Sequence, residues 1–256
     1  MKKRLHIFIT LFGIALMGLM PAKSQAQMIG LDLQVGVPTG EFRQNTNAVG
    51  IGGALSALFP FADRVPIYFG VELGYMNYGI FSQTLNQNLV VLNTNIPLRF
   101  RVQTNNNLLN GHAVLRFVAP IQRIQIYADA LVGGRYIYTR TQVFNESPTN
   151  SLNINTNTYN EAVQARTNVD DWIFSYGGGG GVMIGQQEFK LNLRVVYLFG
   201  SQAEYLDRKT VEQWNATNPP VITLNSTTAT LPESAVPTKN STTDMFFISA
   251  GLTIAF

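Results

Sequence analysis

The last eleven residues, Phe246 to Phe256, alternate, Phe247 apart, between apolar and small or polar side chains. In an extended chain Phe246, Ile248, Ala250, Leu252, Ile254 and Phe256 share one face, and Phe247, Ser249, Gly251, Thr253 and Ala255 share the other. A helix would scatter both sets around its circumference, so the segment reads as a strand. About ten residues with one fully apolar face is the length and pattern of a tilted strand crossing a bilayer.

The same pattern recurs along the chain with almost no helical periodicity. Met28 to Val37 sets Ile29, Leu31, Leu33, Val35 and Val37 against Gly30, Asp32, Gln34 and Gly36, and Pro38-Thr39-Gly40 breaks it. Val49 to Phe59 and Ile67 to Tyr78 read as strands two and three. Between Asn95 and Ala119 the apolar alternation changes phase: Ile96, Leu98, Phe100 and Val102 occupy even positions, whereas Ala113, Leu115, Phe117 and Ala119 occupy odd ones. Either a bulge near Asn105 to Gly111 joins them into one overlong strand, or the first set is a hairpin arm standing above the membrane. The second reading is adopted, with Asn110 to Ala119 as strand four. Ile124 to Tyr138, Trp172 to Gly185 and Glu188 to Phe199 supply strands five to seven, and the terminal segment is the eighth.

The connections near residues 60–66, 120–123 and 185–187 are short, while loops near 38–48, 79–109, 139–170 and 200–244 are longer and mostly polar. Long and short connections alternate, as they must when every second turn lies on the same side of a membrane. The expected fold is therefore all-β, an eight-stranded antiparallel up-and-down transmembrane β-barrel over residues 27–256.

The N-terminus agrees. Lys2, Lys3 and Arg4 precede an apolar run from Leu5 to Met20, and Ser24-Gln25-Ala26 places small residues where a signal peptidase reads them. Residues 1–26 are expected to be a signal peptide, cleaved after Ala26, with export to the bacterial outer membrane. Removing its Lys2, Lys3, Arg4 and Lys23 from the 18 basic residues leaves 14 against 15 acidic ones, so the basic balance of the whole chain belongs to the leader. No basic surface for nucleic acid is expected in the mature chain, and the absence of cysteine excludes disulfides and thiolate metal sites.

A water-soluble barrel would also alternate, but its outer face would be rich in Lys and Glu. Here the face opposite the apolar one carries Gly, Ala, Ser, Thr and sparse charges, which suits the narrow inside of an eight-stranded barrel. Aromatics gather near strand ends, at Tyr136, Tyr138, Trp172, Tyr197, Phe199 and Phe256, as interfacial girdles do.

The terminal strand closing on Phe256 resembles the C-terminal assembly signal of bacterial outer-membrane barrels. Together with Pro38-Thr39-Gly40-Glu41-Phe42, Gly111-His112-Ala113-Val114-Leu115-Arg116-Phe117 and Tyr127-Ala128-Asp129-Ala130-Leu131-Val132-Gly133-Gly134, it makes the chain similar to the OmpA-like outer-membrane β-barrel family of Bacteroidota. That resemblance implies a fold and a compartment, with outer-membrane lipid and the barrel-assembly machinery as partners. No periplasmic peptidoglycan-binding domain is expected after the barrel.

Seven charged residues fall on the inner face: Asp32, Glu72, Arg116, Asp129, Arg135, Lys190 and Arg194. In a lumen too narrow for continuous water they are expected to pair across the barrel and plug it. The run Gly177 to Gly181 lacks the Gly-Lys-Ser/Thr ending of a phosphate loop and sits inside an alternating strand, so it reads as room for curvature and close approach. Three sequons at Asn215, Asn225 and Asn240 are chance matches in a Ser/Thr/Asn-rich loop. His112 is the sole histidine after the leader and the one candidate general base, yet no Gly-x-Ser-x-Gly elbow accompanies it. The expectation is a non-enzymatic monomer without cofactor or metal, with a structural or surface-binding role through its long loops and an unknown extracellular ligand. A small passive pore is the alternative, and a lipid-modifying enzyme a third reading.

Overall fold

A computed structural model describes residues 27–46, 48–62, 65–91, 94–121, 124–146, 162–186, 188–207, 210, 223–225, 228–230 and 237–256. The proposed leader and its cleavage site lie outside them, as does Asn215. The barrel strands are β1 (Met28–Pro38), β2 (Gly50–Pro60), β3 (Ile67–Val91), β4 (Thr94–Ile121), β5 (Ile124–Asn145), β6 (Ala162–Gln186), β7 (Phe189–Gly200) and, at the C-terminal end, β12 (Met245–Ala255). Between β1 and β2 lies a short helix, α1 (Gly40–Thr46), and between β7 and β12 lie β8 (Gln202–Tyr205), β9 (Thr223–Asn225), β10 (Thr228–Thr230) and β11 (Lys239–Thr242).

The eight barrel strands close in the order β1-β12-β7-β6-β5-β4-β3-β2, every pair antiparallel. Closure is made by β1 against β12, from Met28 opposite Ala255 to Pro38 opposite Met245. The Phe256 amide also donates to the Gln27 carbonyl at 2.9 Å. Strict alternation in both strands fixes this register, because a one-residue slip would turn each apolar set inward.

The distribution of side chains is inside-out. Leu33, Ile51, Leu73, Phe117, Val132, Phe174, Leu193 and Leu252, drawn from all eight strands, are exposed on the outer surface, whereas Asp32, Glu72, Arg116, Asp129 and Arg194 are buried. Aromatics mark both ends of this apolar wall. Phe69 packs against both Phe59 and Phe61 near the short turns, and Tyr136 against Trp172 and Tyr176 against Phe199 form a belt toward the other end.

Three boundaries depart from expectation. Strand four is neither Asn110 to Ala119 nor a bulged strand. β4 runs unbroken for 28 residues, paired without a register shift to β5, and the extra residue sits on β3, where the register with β4 shifts between Asn77 and Gly79. Even positions of β4 face inward from Asn106 to Val118. The apolar phase changes because apolar residues leave the outer face beyond the hydrophobic wall, and Phe100 is buried on the even face instead. Residues 79–91 and 94–109 are thus mostly strand, an arm continuous with the barrel, and residues 139–145 and 162–170 extend β5 and β6 into what the polar composition marked as loop. The first long loop is not irregular either: Gly40, in a left-handed conformation, turns β1 directly into α1.

The glycine run is explained by β6 lying close against β7. A Cβ on the inward-facing Gly179 would stand 2.1 Å from the Val195 carbonyl oxygen, and one on Gly177 would stand 2.0 Å from that of Tyr197. Only glycine permits this approach.

Candidate functional site: the barrel interior and its mouth

Five of the seven inner charges converge at mid-barrel. Arg116 on β4 faces its cross-strand partner Asp129 on β5 and grips it with two hydrogen bonds, Nε to Oδ1 at 2.7 Å and Nη2 to Oδ2 at 2.9 Å. Its guanidinium also lies over the Tyr127 ring, 3.9 Å from the centroid. Arg194 on β7 makes an ion pair with Glu72 on β3, and its Nε lies 2.8 Å from Asp129 Oδ2. β3 and β7 are four strands apart in a ring of eight, so the Arg194–Glu72 pair spans the lumen.

Asp32 joins through a neutral group. Asn192 Nδ2 donates to Asp32 Oδ1 at 2.9 Å, while the Tyr127 hydroxyl donates to Asn192 Oδ1 at 2.5 Å. The chain Asp32-Asn192-Tyr127 thereby links β1, β7 and β5. The Arg194 side chain is 1% exposed and that of Asp129 is not exposed at all, so bulk water is excluded at this level and each charge relies on its protein partners.

The other two bases stand apart. Arg135 is fully buried nearer the mouth and donates to backbone carbonyls, Nη1 to Thr243 at 2.6 Å and Nη2 to Leu198 at 3.4 Å, with its guanidinium over Phe247. Lys190, toward the short turns, donates to Gln125 Oε1 at 2.8 Å. Among the described residues neither forms an ion pair with a carboxylate. The expectation of pairing holds for five residues and is corrected for these two: strand alternation assigns a face, but height along the barrel decides which charges meet.

His112 is inside the barrel, with Nε2 at 2.6 Å from Ser175 Oγ. Both residues are buried and His112 Nδ1 has no hydrogen-bond partner. Among the described residues the pair lacks the orienting acid and the open access that acyl transfer requires; the nearest acid in register, Glu72, is engaged by Arg194. Among the described residues no cluster of His, Asp and Glu is arranged to hold a metal ion.

The mouth is closed by a plug that sequence reasoning missed. α1 directs Phe42 into the barrel end, where its ring packs on Tyr78 at 5.6 Å and edge-on against Tyr205 at 5.1 Å, above Met76, Leu108 and Met245. The β8–β11 ribbon supplies Tyr205, whose hydroxyl is bridged to Ser241 Oγ at 2.8 Å and receives a hydrogen bond from Asn45 Nδ2 at 3.1 Å. The Thr242 amide donates to the Glu41 carboxylate, fastening the ribbon to α1. A large apolar residue in an otherwise polar first loop was the available signal; its partners at Tyr78 and Tyr205 are not predictable from spacing.

Fold and interior together define a class: a closed eight-stranded β-barrel with an apolar outer wall, a charged and hydrogen-bonded interior, and a plugged mouth. The sequence matches no known protein family and no curated protein. Among solved structures it is similar to Neisserial surface protein A, at 12% identity over 91% of this chain and 100% of that one, with a TM-score of 0.40. A major outer membrane protein from Thermus thermophilus is similar at 10% identity over 91% and 100% of the two chains, with a TM-score of 0.45. The attachment invasion locus protein of Yersinia pestis, in complex with the heparin analogue sucrose octasulfate, is similar at 9% identity over 90% and 97%, with a TM-score of 0.37.

Proposed function

We propose that this chain is an OmpA-like barrel of the bacterial outer membrane, exported with cleavage after Ala26, that works as a non-enzymatic, non-conducting structural or surface-binding protein. The observation that carries this reading is the Arg194–Glu72 pair spanning a dry lumen inside an apolar wall. An apolar exterior on all eight strands is stable in lipid and not in water. A bridged and plugged lumen leaves the long-loop end as the surface on which a partner could act.

In this reading the short turns face the periplasm and the arms of β3–β4 and β5–β6 stand outside the cell. The terminal strand is what the barrel-assembly machinery reads, with Phe256 at its end, and the barrel inserts as a monomer. Its extracellular ligand is contacted by the outer arms and the 201–243 segment.

The test is fractionation followed by surface capture. The protein is expected in the outer-membrane fraction, and intact cells are expected to retain a labelled surface ligand that cells carrying a 201–243 deletion do not, at equal barrel levels. Recovery as soluble periplasmic protein would overturn the membrane reading. Equal retention by the deletion strain would overturn the role of the loop.

A further inference from the structure

β2 and β3 separate at the mouth. β2 pairs with β3 only as far as Ile51 opposite Asn77, whereas β3 continues along β4 to Val91 opposite Thr94. From Gly79 to Val91, β3 therefore has β4 on one side and, among the described residues, no strand on the other. At its foot this edge borders an open cavity lined by Val49, Ile51, Ile80 and Phe81.

The backbone groups that face the open side follow from the bonding of β4. The Val118 amide donates to the Pro66 carbonyl on the β3 side at 2.8 Å, and the Arg99 carbonyl accepts from the Glu146 amide on the β5 side at 2.8 Å. Backbone direction alternates along a strand without a bulge, so the even-numbered residues of β4 bond β3. Their register partners Gly79, Phe81, Gln83 and Leu85 bond β4, and Ile80, Ser82, Thr84 and Asn86 turn N–H and C=O to the open edge. The side chains of these four are exposed as well, while Phe81 and Leu85 lie half-buried on the face that carries the buried Phe100.

Edge strands are usually protected by charge, proline, bulges or short length. Residues 79–91 contain no Asp, Glu, Lys, Arg or Pro, and past the shift between Asn77 and Gly79 their register with β4 is unbroken. The other side of the arm differs: the Ser201 amide donates to the Phe174 carbonyl at 3.0 Å, and β8 and β10 lie against β6. A second copy in the same membrane does not fill the β3 edge, because its arm points the same way. A parallel ladder offsets the bonded residues of its two strands and cannot obey a twofold axis along the membrane normal. We propose that this edge is a docking site for an extended, uncharged segment of another protein, which adds to β3 as a further strand. Its backbone bonds Ile80, Ser82, Thr84 and Asn86, and its alternate apolar side chains lie beside Phe81 and Leu85. The proposal deepens the surface-binding reading and rests on it.

The experiment titrates the folded protein in zwitterionic detergent with a fluorescent peptide that alternates threonine and valine and is charged only at its ends. The control is the same peptide N-methylated at every residue, which keeps the side chains and cannot donate. Saturable binding of the first peptide is expected, weakened at least tenfold by N-methylation. Thr84→Pro, which removes a donor on the open edge and none directed at β4, is expected to weaken it at least tenfold, whereas Thr84→Ala, which keeps that donor, binds as the parent does. Heat-modifiable gel migration verifies that each variant is folded, and the comparison of the two peptides needs only the parent protein. No saturable binding, equal binding of both peptides, or binding unchanged by Thr84→Pro would overturn the proposal. Sedimentation of the parent as a dimer that Thr84→Pro dissociates would assign the edge to a second copy and overturn it as well. Because the titration uses purified protein, its failure alongside loop-dependent capture on cells would overturn the edge assignment alone.

Discussion

At the residue scale the interior is governed by desolvation. Two guanidiniums and three carboxylates occupy a space from which water is excluded, and each owes its tolerance there to a partner at hydrogen-bond distance. Arg194 touches two acids, Glu72 across the lumen and Asp129 two strands away, so its removal strands Glu72 and leaves Asp129 to Arg116 alone. Asp129 in turn holds both arginines. Arg194→Ala and Asp129→Ala should each cost on the order of 3 to 5 kcal/mol, read as a lowered urea midpoint for unfolding from lipid vesicles. Their effects should not add in the double variant, since each single change already breaks the shared contact. An unchanged midpoint in both would mean that lumen water substitutes for the partners. Which residues face inward could be read from alternation alone, and all five members of this cluster were. Asn192 and Tyr127 fall on the same inner face by the same alternation, but their linking role depends on side-chain reach across the lumen, which carries no trace in residue order.

At the element scale, alternation fixed the eight barrel strands, because a strand between an apolar exterior and a polar lumen has no freedom of phase. Where the chain rises out of the apolar wall that constraint ends. β3, β4, β5 and β6 continue as strands in polar, Asn- and Thr-rich sequence, sustained by cross-strand bonds such as Thr104 Oγ1 to Thr141 Oγ1 at 3.0 Å and by the Arg101–Glu146 ion pair at 2.5 Å. Such composition reads as loop, since nothing in it favours one face over the other. Within the wall, by contrast, the facing is strict. Leu193→Arg, on the outer face of β7 near mid-strand, should destabilise the barrel by about 2 to 4 kcal/mol in lipid, whereas Leu193→Phe should be close to neutral. Equal stability of the arginine variant and the parent in a vesicle unfolding series would show that this face does not meet hydrocarbon.

At the scale of the whole molecule, charge bridge and aromatic plug act in series along one axis. The Arg194–Glu72 pair spans the middle, and Phe42, Tyr78 and Tyr205 close the mouth above it. Each element narrows the path along that axis. The charge bridge was legible in part, because alternation set seven charges on the inner face and five of them lie at one height. The plug was not, because a seven-residue helix between two strands shows in sequence only as a short polar loop with one phenylalanine. A passive pore needs a continuous water path, so conductance separates the two readings. Purified protein reconstituted into planar lipid bilayers in concentrated KCl should show no stable openings above a protein-free control, in the parent and in a variant lacking residues 201–243 alike. Stable, voltage-independent single-channel steps in the parent protein would contradict the bridged lumen and favour a pore.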